Sequence, residues 1–253
     1  MIVTFLGTGT SQGVPVIGCD CEVCCSLDFR DKRLRVSVHL QIGEKSFVID
    51  TGPDFRQQAL RERIRRLDAV LMTHEHKDHT AGLDDVRAYN FRQQRDMPVY
   101  AHHRVLEQLK REFAYAFAEK KYPGVPRLQL HPIDNQPFDV EDVRITPVEV
   151  MHHQLPVLGF RVGDFTYITD ANFIAEPELE KIRGSRVVVL NALQLESHIS
   201  HYTLTQALDV LEKIGPERAY LTHMSHRIGR HAAVEAELPP NVRLAYDGLK
   251  LVL

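Results

Sequence analysis

The chain has 253 residues, 43% apolar and 26% charged, enough to bury a substantial core, and carries a formal net charge of -3. Its basic residues are dispersed apart from RQQALRERIRR (Arg56–Arg66), which reads as a solvated helix face, so neither the charge nor its distribution calls for nucleic acid. No apolar run approaches the roughly 20 residues that span a bilayer, which excludes a membrane helix.

Taken in chain order, MIVTFLGTGTSQG lacks the charged and long apolar regions of a signal peptide, so it reads as a first strand (Ile2–Gly7) and the expected location is cytoplasmic. All four cysteines lie between Cys19 and Cys25, too crowded to staple a domain of this size. In a reducing compartment such a cluster more often holds metal. Strands are expected at Ser37–Gly43, Ser46–Asp50 and Ala69–Thr73, with helices at Asp54–Ile64, Asp78–Tyr89 and His102–Lys120. Glu119–Pro132, with three prolines and a glycine, reads as a surface excursion, a candidate lid or oligomer contact and so a candidate homodimer surface. Further strands follow at Val143–Val150, Leu158–Gly163, Phe165–Thr169, Arg186–Leu190, Arg218–Thr222 and Val242–Tyr246. Helices are expected at Glu176–Ile182, Leu204–Ile214, with Thr203 as N-cap, and Arg227–Leu238. No repeat or flexible linker divides the chain, so one domain over residues 1–253 is the simplest reading. Hairpins followed by strand-helix units fit an α/β sandwich of two mixed sheets with helices outside.

Four of these strands end in polar residues that can ligate metal. AVLMTHEHKDH supplies His74, His76, Asp78 and His79, VEVMHH supplies His152 and His153, FTYITD supplies Asp170, and RAYLTHMSH supplies His223 and His226. One histidine at a strand end is an ordinary surface residue, but the recurrence points to a shared metal site. In an extended segment His74 and His76 point the same way and suit one cation. Asp78 and His79, at the start of the next helix and turned away from that pair, suit a second. Glu75 and Lys77 are expected to be spacers facing solvent.

THEHKDH, followed by a later histidine, aspartate and histidine in that order, resembles the His-x-His-x-Asp-His pattern of the metallo-β-lactamase fold hydrolases, and the resemblance extends from LGTGTSQGVP through VIDTG to LTHMSH. It implies a four-layer αββα sandwich and two divalent cations, zinc or manganese, with iron also compatible. His74, His76 and one of His152/His153, with His152 favoured, would hold the first; Asp78, His79 and His223 the second; and Asp170 would bridge them. Asp50 matches a buried aspartate that orders the metal loop without binding metal.

The opening LGTGTSQGVPVIGCDCEVC is similar to a branch holding tRNA-processing nucleases and, more closely, a phosphoribosyl cyclic phosphodiesterase. That resemblance implies a structural zinc on Cys19, Cys21, Cys24 and His226, a normal closed Cys₃His set, with Cys25 left as a free thiol. It also implies that His201 in SHISHYTLTQAL aids catalysis without binding metal, alongside the ligand Asp78. His198, Arg56 and Arg35 are candidate substrate contacts. The nucleases' His-Glu-Ala-Thr motif and long arm are not apparent. The expectation is therefore a metal-dependent phosphodiesterase on a small phosphodiester, a cyclic nucleotide or cyclic ribose phosphate among them, with a thioester or lactone hydrolase, or a tRNA 3′-processing-like nuclease, as the alternatives.

Overall fold

The computed structural model describes all 253 residues, and the chain forms two compact units, one of Met1–Leu6, Val36–Asp134 and Lys250–Leu253, the other of Gly7–Arg35 and Asn135–Leu249. No helix is long and apolar enough to cross a membrane.

The first unit is built on β1 (Ile2–Gly7), β2 (Ser37–Ile42), β3 (Lys45–Ile49), β4 (Ala69–Leu71), β5 (Met97–His102), β6 (Leu128–Ile133) and β14 (Lys250–Val252), in the order β14-β1-β2-β3-β4-β5-β6. β2 and β3 are an antiparallel hairpin turned at Gly43, whose φ of 59° suits a residue without a Cβ. From β3 to β6 the pairing is parallel. Parallel strands need crossovers, and α1 (Phe55–Arg61), α3 (Arg87–Gln93) and α4 (His103–Glu112) lie in them. The carboxyl ends of β3 and β4 consequently emerge side by side, with the Asp50 N–H donating to Leu71 O at 2.9 Å. Val48, Val70 and Val99 pack with Phe55, Leu83, Val86 and Leu106 to make this unit's core.

Three expected helices break: in the second unit Arg227–Leu238 is a tight turn at His226–Ile228, Gly229 at a φ of 106°, and then a helix at His231–Glu237, and the other two lie in the first unit. Asp78–Tyr89 is α2 (Lys77–Thr80), a tight turn at Leu83–Val86 and then α3. Gly82 explains the interruption: a Cβ there would lie 2.1 Å from the Gly52 carbonyl oxygen, so the backbones meet where a continuous side-chain surface was expected. His102–Lys120 divides into α4 and α5 (Ala114–Phe117) at Phe113, whose φ and ψ of −108° and 38° leave the helical region. The expected excursion Glu119–Pro132 is an irregular and mostly exposed segment as far as Arg127, and its remainder is β6, an edge strand where Pro132 is tolerated.

The second unit carries β7 (Phe138–Val140), β8 (Val143–His152), β9 (Leu155–Val162), β10 (Phe165–Tyr167), β11 (Val187–Asn191), β12 (Arg218–Thr222) and β13 (Val242–Leu244), ordered β13-β12-β11-β10-β9-β8-β7. β7 to β10 are antiparallel and β10 to β13 parallel. The helices are α6 (Glu176–Ile182), α7 (Leu204–Ile214) and α8 (His231–Glu237). α7 begins in a capping box, Thr203 Oγ1 accepting from Gln206 N at 3.2 Å while Gln206 Oε1 accepts from Thr203 N at 3.0 Å, and it ends at Gly215 in the left-handed region. The two mixed seven-stranded sheets with helices match the architecture expected from the sequence.

Candidate functional site

In the first unit the loops after β3 and β4 form one hydrogen-bonded cluster. Asp50 is fully buried at a φ of 62°, an unusual conformation for a residue with a side chain, and it holds three donors. Thr73 N donates to Oδ1 at 2.8 Å, while the Thr73 hydroxyl and His79 Nδ1 reach Oδ2 at 2.8 and 2.7 Å. Burial pushes the Asp50 carboxyl up, and these donors pull against it. The bond to Asp50 puts the His79 proton on Nδ1, so Nε2 presents its lone pair. That nitrogen lies 3.2 Å from Asp78 Oδ2. A lone pair and a carboxylate oxygen at this distance are two acceptors, an arrangement that a cation reconciles.

The same reasoning fixes His74. Thr73 uses its hydroxyl proton on Asp50, so its oxygen accepts from His74 Nδ1 at 3.0 Å. His74 Nε2 is then the outward donor atom, 3.0 Å from His76 Nδ1. His74 and His79 are fully buried, with ring centroids 4.1 Å apart. Lys77 is exposed as expected and Glu75 is half-buried, but neither is a mere spacer. Glu75 Oε1 pairs with Arg104 Nε at 2.8 Å and Lys77 Nζ with Glu112 Oε2 at 2.7 Å, so the loop is pinned to α4 at both ends. The charges at positions 75, 77, 104 and 112 were visible in the sequence, but their pairing needs the β4-β5 crossover.

In the second unit His152, Asp170, His201 and His223 converge. His152 is buried at the end of β8, and its Nδ1 donates to the Ser200 carbonyl at 2.9 Å, again leaving Nε2 as the donor atom. His153 is exposed on the following turn, at a φ of 56°. Asp170 sits just past β10 at a φ of 60°, and the turn is fixed by Asn191, which accepts from Ala171 N at 2.7 Å and donates to Ala171 O at 2.9 Å. Asp170 Oδ2 accepts from Thr169 Oγ1 at 2.5 Å. Its Oδ1 lies 3.1 Å from His201 Nε2 and 3.2 Å from His223 Nε2. The His201 and His223 rings stack, 4.9 Å apart and 16° from parallel. Burial lowers the His201 imidazole to about 4 despite Asp170, so at neutral pH its ring carries one proton, and the Nε2 geometry directs that proton to Asp170. His152, Asp170 and His201 bring ring-nitrogen and carboxylate atoms within 4.8 Å of one another, and with its proton on Nε2 His201 faces Asp170 as a hydrogen-bond donor.

The cysteine cluster is also in this unit. The Sγ atoms of Cys19, Cys21 and Cys24 lie 3.3, 3.3 and 3.4 Å from one atom, His226 Nδ1. A single ring nitrogen has one lone pair or one N–H and cannot bond three thiols. Ligand atoms on one tetrahedral zinc, at about 2.3 Å for sulfur and 2.0–2.1 Å for nitrogen, are separated by about 3.5 Å, so the set fits zinc. The Cys24 backbone N–H pulls the Cys21 thiol down to about 6, which favours the ligating thiolate. Cys25 is exposed.

Of the candidate substrate contacts, one adjoins the second-unit cluster. His198 is exposed beside His201, their Nδ1 atoms 3.1 Å apart. Arg35 Nε donates to Ser11 O at 3.1 Å, beside the glycine-rich loop. Arg56, on α1, lines a cavity with Phe55, Tyr89 and Arg92 and none of the metal-type donors.

A model of the beta-lactamase superfamily domain matches residues 45–224. The octanoyltransferase of Porphyromonas gingivalis is 41% identical over 251 residues, 98% of this chain but 51% of that protein, so the chain spans about half the length of this curated relative. Among solved structures, a diphosphatase of the PhnP family is 39% identical, with a TM-score of 0.93 over 100% of this chain and 97% of that one. The short form of human tRNase Z shares the fold at 18% identity, with a TM-score of 0.74 over 100% of this chain and 99% of that one.

Proposed function

The chain belongs to the beta-lactamase superfamily, and on that premise we propose that it is a binuclear metal-dependent phosphodiesterase acting on a small phosphodiester, a cyclic nucleotide or cyclic ribose phosphate among them. One observation carries the metal centre: His74, His79 and His152 each commit Nδ1 to a partner of their own, Thr73, Asp50 and the Ser200 carbonyl, and so hold Nε2 ready as a ligand atom. In our reading His74, His76 and His152 take one cation, Asp78, His79 and His223 the other, and Asp170 bridges, while Cys19, Cys21, Cys24 and His226 hold a structural zinc.

The chemistry the cations supply is a water of lowered pKa and neutralisation of charge on the phosphoryl oxygens. The protein's part is geometric and protonic. Asp50 and Thr73 keep two imidazoles in the ligating tautomer, and Asn191 holds the bend that presents Asp170. His201 keeps a proton on Nε2 beside Asp170, from which it is placed to hydrogen-bond the phosphoryl group or the departing alkoxide. The phosphorus preference is supported by the full-length similarity to a diphosphatase, an enzyme that by its name cleaves a phosphate linkage.

A second reading, hydrolysis of an acyl thioester or lactone, is favoured by the name of the Porphyromonas relative, octanoyltransferase. Protein reconstituted with zinc or manganese, assayed on bis(p-nitrophenyl) phosphate beside lactones and acyl thioesters, separates the two. Phosphodiester turnover supports the first; turnover of the acyl panel alone gives the second.

A further inference from the structure

The second unit buries an ion pair for which the chemistry above has no use. The Arg33 and Asp31 side chains are 0% and 1% exposed, with Arg33 Nη2 3.3 Å from Asp31 Oδ1. Arg33 Nε is buried without a hydrogen-bond partner. A buried ion pair is weak grounds for stability, because desolvation opposes the attraction and apolar replacements of similar volume are often as stable. What the pair touches is therefore informative. Arg33 Nη1 donates to the Ser225 carbonyl at 3.2 Å, and Asp31 Oδ1 accepts from the His231 backbone N–H at 2.8 Å. Ser225 lies between His223, a metal ligand in our reading, and His226 of the cysteine cluster.

The backbone of this segment is tethered on all sides. Met224 N donates to Thr8 O at 2.9 Å, Met224 O accepts from Thr10 N at 3.2 Å, and Ser225 N donates to Leu193 O at 2.9 Å. The Ser225 carbonyl is bound by Arg33. These tethers follow a residue in an unfavourable conformation: His223 has a φ of 55°, which persists in a non-glycine residue when its surroundings over-determine it. The sequence also makes room for Arg33. A Cβ on Gly9 would lie 2.7 Å from the Arg33 carbonyl oxygen and 3.0 Å from its Cβ, so only glycine lets the 8–10 loop and residue 33 lie this close.

We infer that Arg33, with Asp31, is a positioning pair: by holding the Ser225 carbonyl it keeps His223 in its left-handed conformation and so sets the affinity of the metal site to which His223 belongs. The inference rests on the metal centre proposed above. Arg33→Met alone strands a buried carboxylate and invites unfolding, so the informative variant is Arg33→Met with Asp31→Asn, which removes both charges and keeps an acceptor for His231 N–H.

Cobalt is the probe, because its thiolate charge-transfer band reports the cysteine cluster separately from the weaker bands of histidine-carboxylate sites. The expected result is a folded double variant whose thiolate band is intact, whose histidine-carboxylate affinity is at least tenfold weaker, and whose Met224 and Ser225 amides exchange with deuterium at least tenfold faster. Arg33→Lys, which keeps the charge but loses the planar fork, should fall between and serves if the double variant does not fold. Wild-type cobalt affinity and wild-type exchange in these variants would overturn the inference. If the unmodified protein takes up cobalt at the cysteine cluster and nowhere else, the metal-centre reading fails instead, and the exchange rates still decide whether Arg33 fixes the segment.

Discussion

Replacing Asp50 by asparagine tests how the metal loop is organised, because the side chain keeps its size and changes one feature. Asp50 accepts from Thr73 N, the Thr73 hydroxyl and His79 Nδ1 at 2.8, 2.8 and 2.7 Å. An asparagine has one oxygen for these donors, and its NH₂ must face another. If the amide turns its oxygen to Thr73 N, its NH₂ faces His79 and becomes a donor to Nδ1. The His79 proton then moves to Nε2, the atom that faces Asp78 Oδ2 at 3.2 Å and that a cation would need. Loss of such an orienting partner typically weakens metal affinity by about 10–100-fold, or about 1.4–2.7 kcal/mol. Nitrogen-15 NMR of the histidine ring reports the tautomer, and competitive zinc titration reports the affinity. An Asp50→Asn protein with the His79 proton still on Nδ1 and unchanged affinity would show that Asp50 does not set the His79 tautomer.

Other consequences follow from particular contacts. His76→Ala and Asp170→Ala should each abolish hydrolysis with the fold retained by circular dichroism, whereas His201→Ala should lower turnover with metal content unchanged in elemental analysis. Cys21→Ser should lose one metal equivalent and lower the melting temperature. Gly82→Ala must move backbone away from the Gly52 carbonyl and should destabilise by about 1–3 kcal/mol in urea unfolding. His39, 9% exposed, is held down to about 4 by burial, so it is neutral in the fold while the unfolded chain takes up a proton below about 6.5. Its contribution is complete above pH 6.5 and is lost as pH falls towards 4, by at most about 3 kcal/mol, and His39→Gln should flatten that part of the stability profile.

The metal-type residues were legible because each stands at the end of a β-branched run, a position that strand periodicity locates well. The ends of β4, β8, β10 and β12 carry them in the structure. What the sequence hid were pairings over distance. The strands Met97–His102 and Leu128–Ile133 contain Pro98 and Pro132, which count against strand locally, so neither is among the expected strands, and the parallel ladder between them is what places them. The break at Gly82 depends on Gly52, thirty residues away, and the Arg33 contact with Ser225 spans 192 residues. No local pattern marks either one. The left-handed conformations of Asp50, Asp170 and His223 were equally invisible, since they are imposed by hydrogen bonds from neighbouring strands and turns.

The proposed function requires two histidine-carboxylate metal ions that cleave phosphodiesters, beside a structural zinc. The decisive measurement is elemental analysis of the metal-reconstituted protein with bis(p-nitrophenyl) phosphate turnover followed on the same sample. About three metal equivalents per chain are expected from the ligand sets assigned above, with turnover that disappears when the two histidine-carboxylate equivalents are removed. One equivalent per chain, or full metal loading without phosphodiester turnover, would contradict that function.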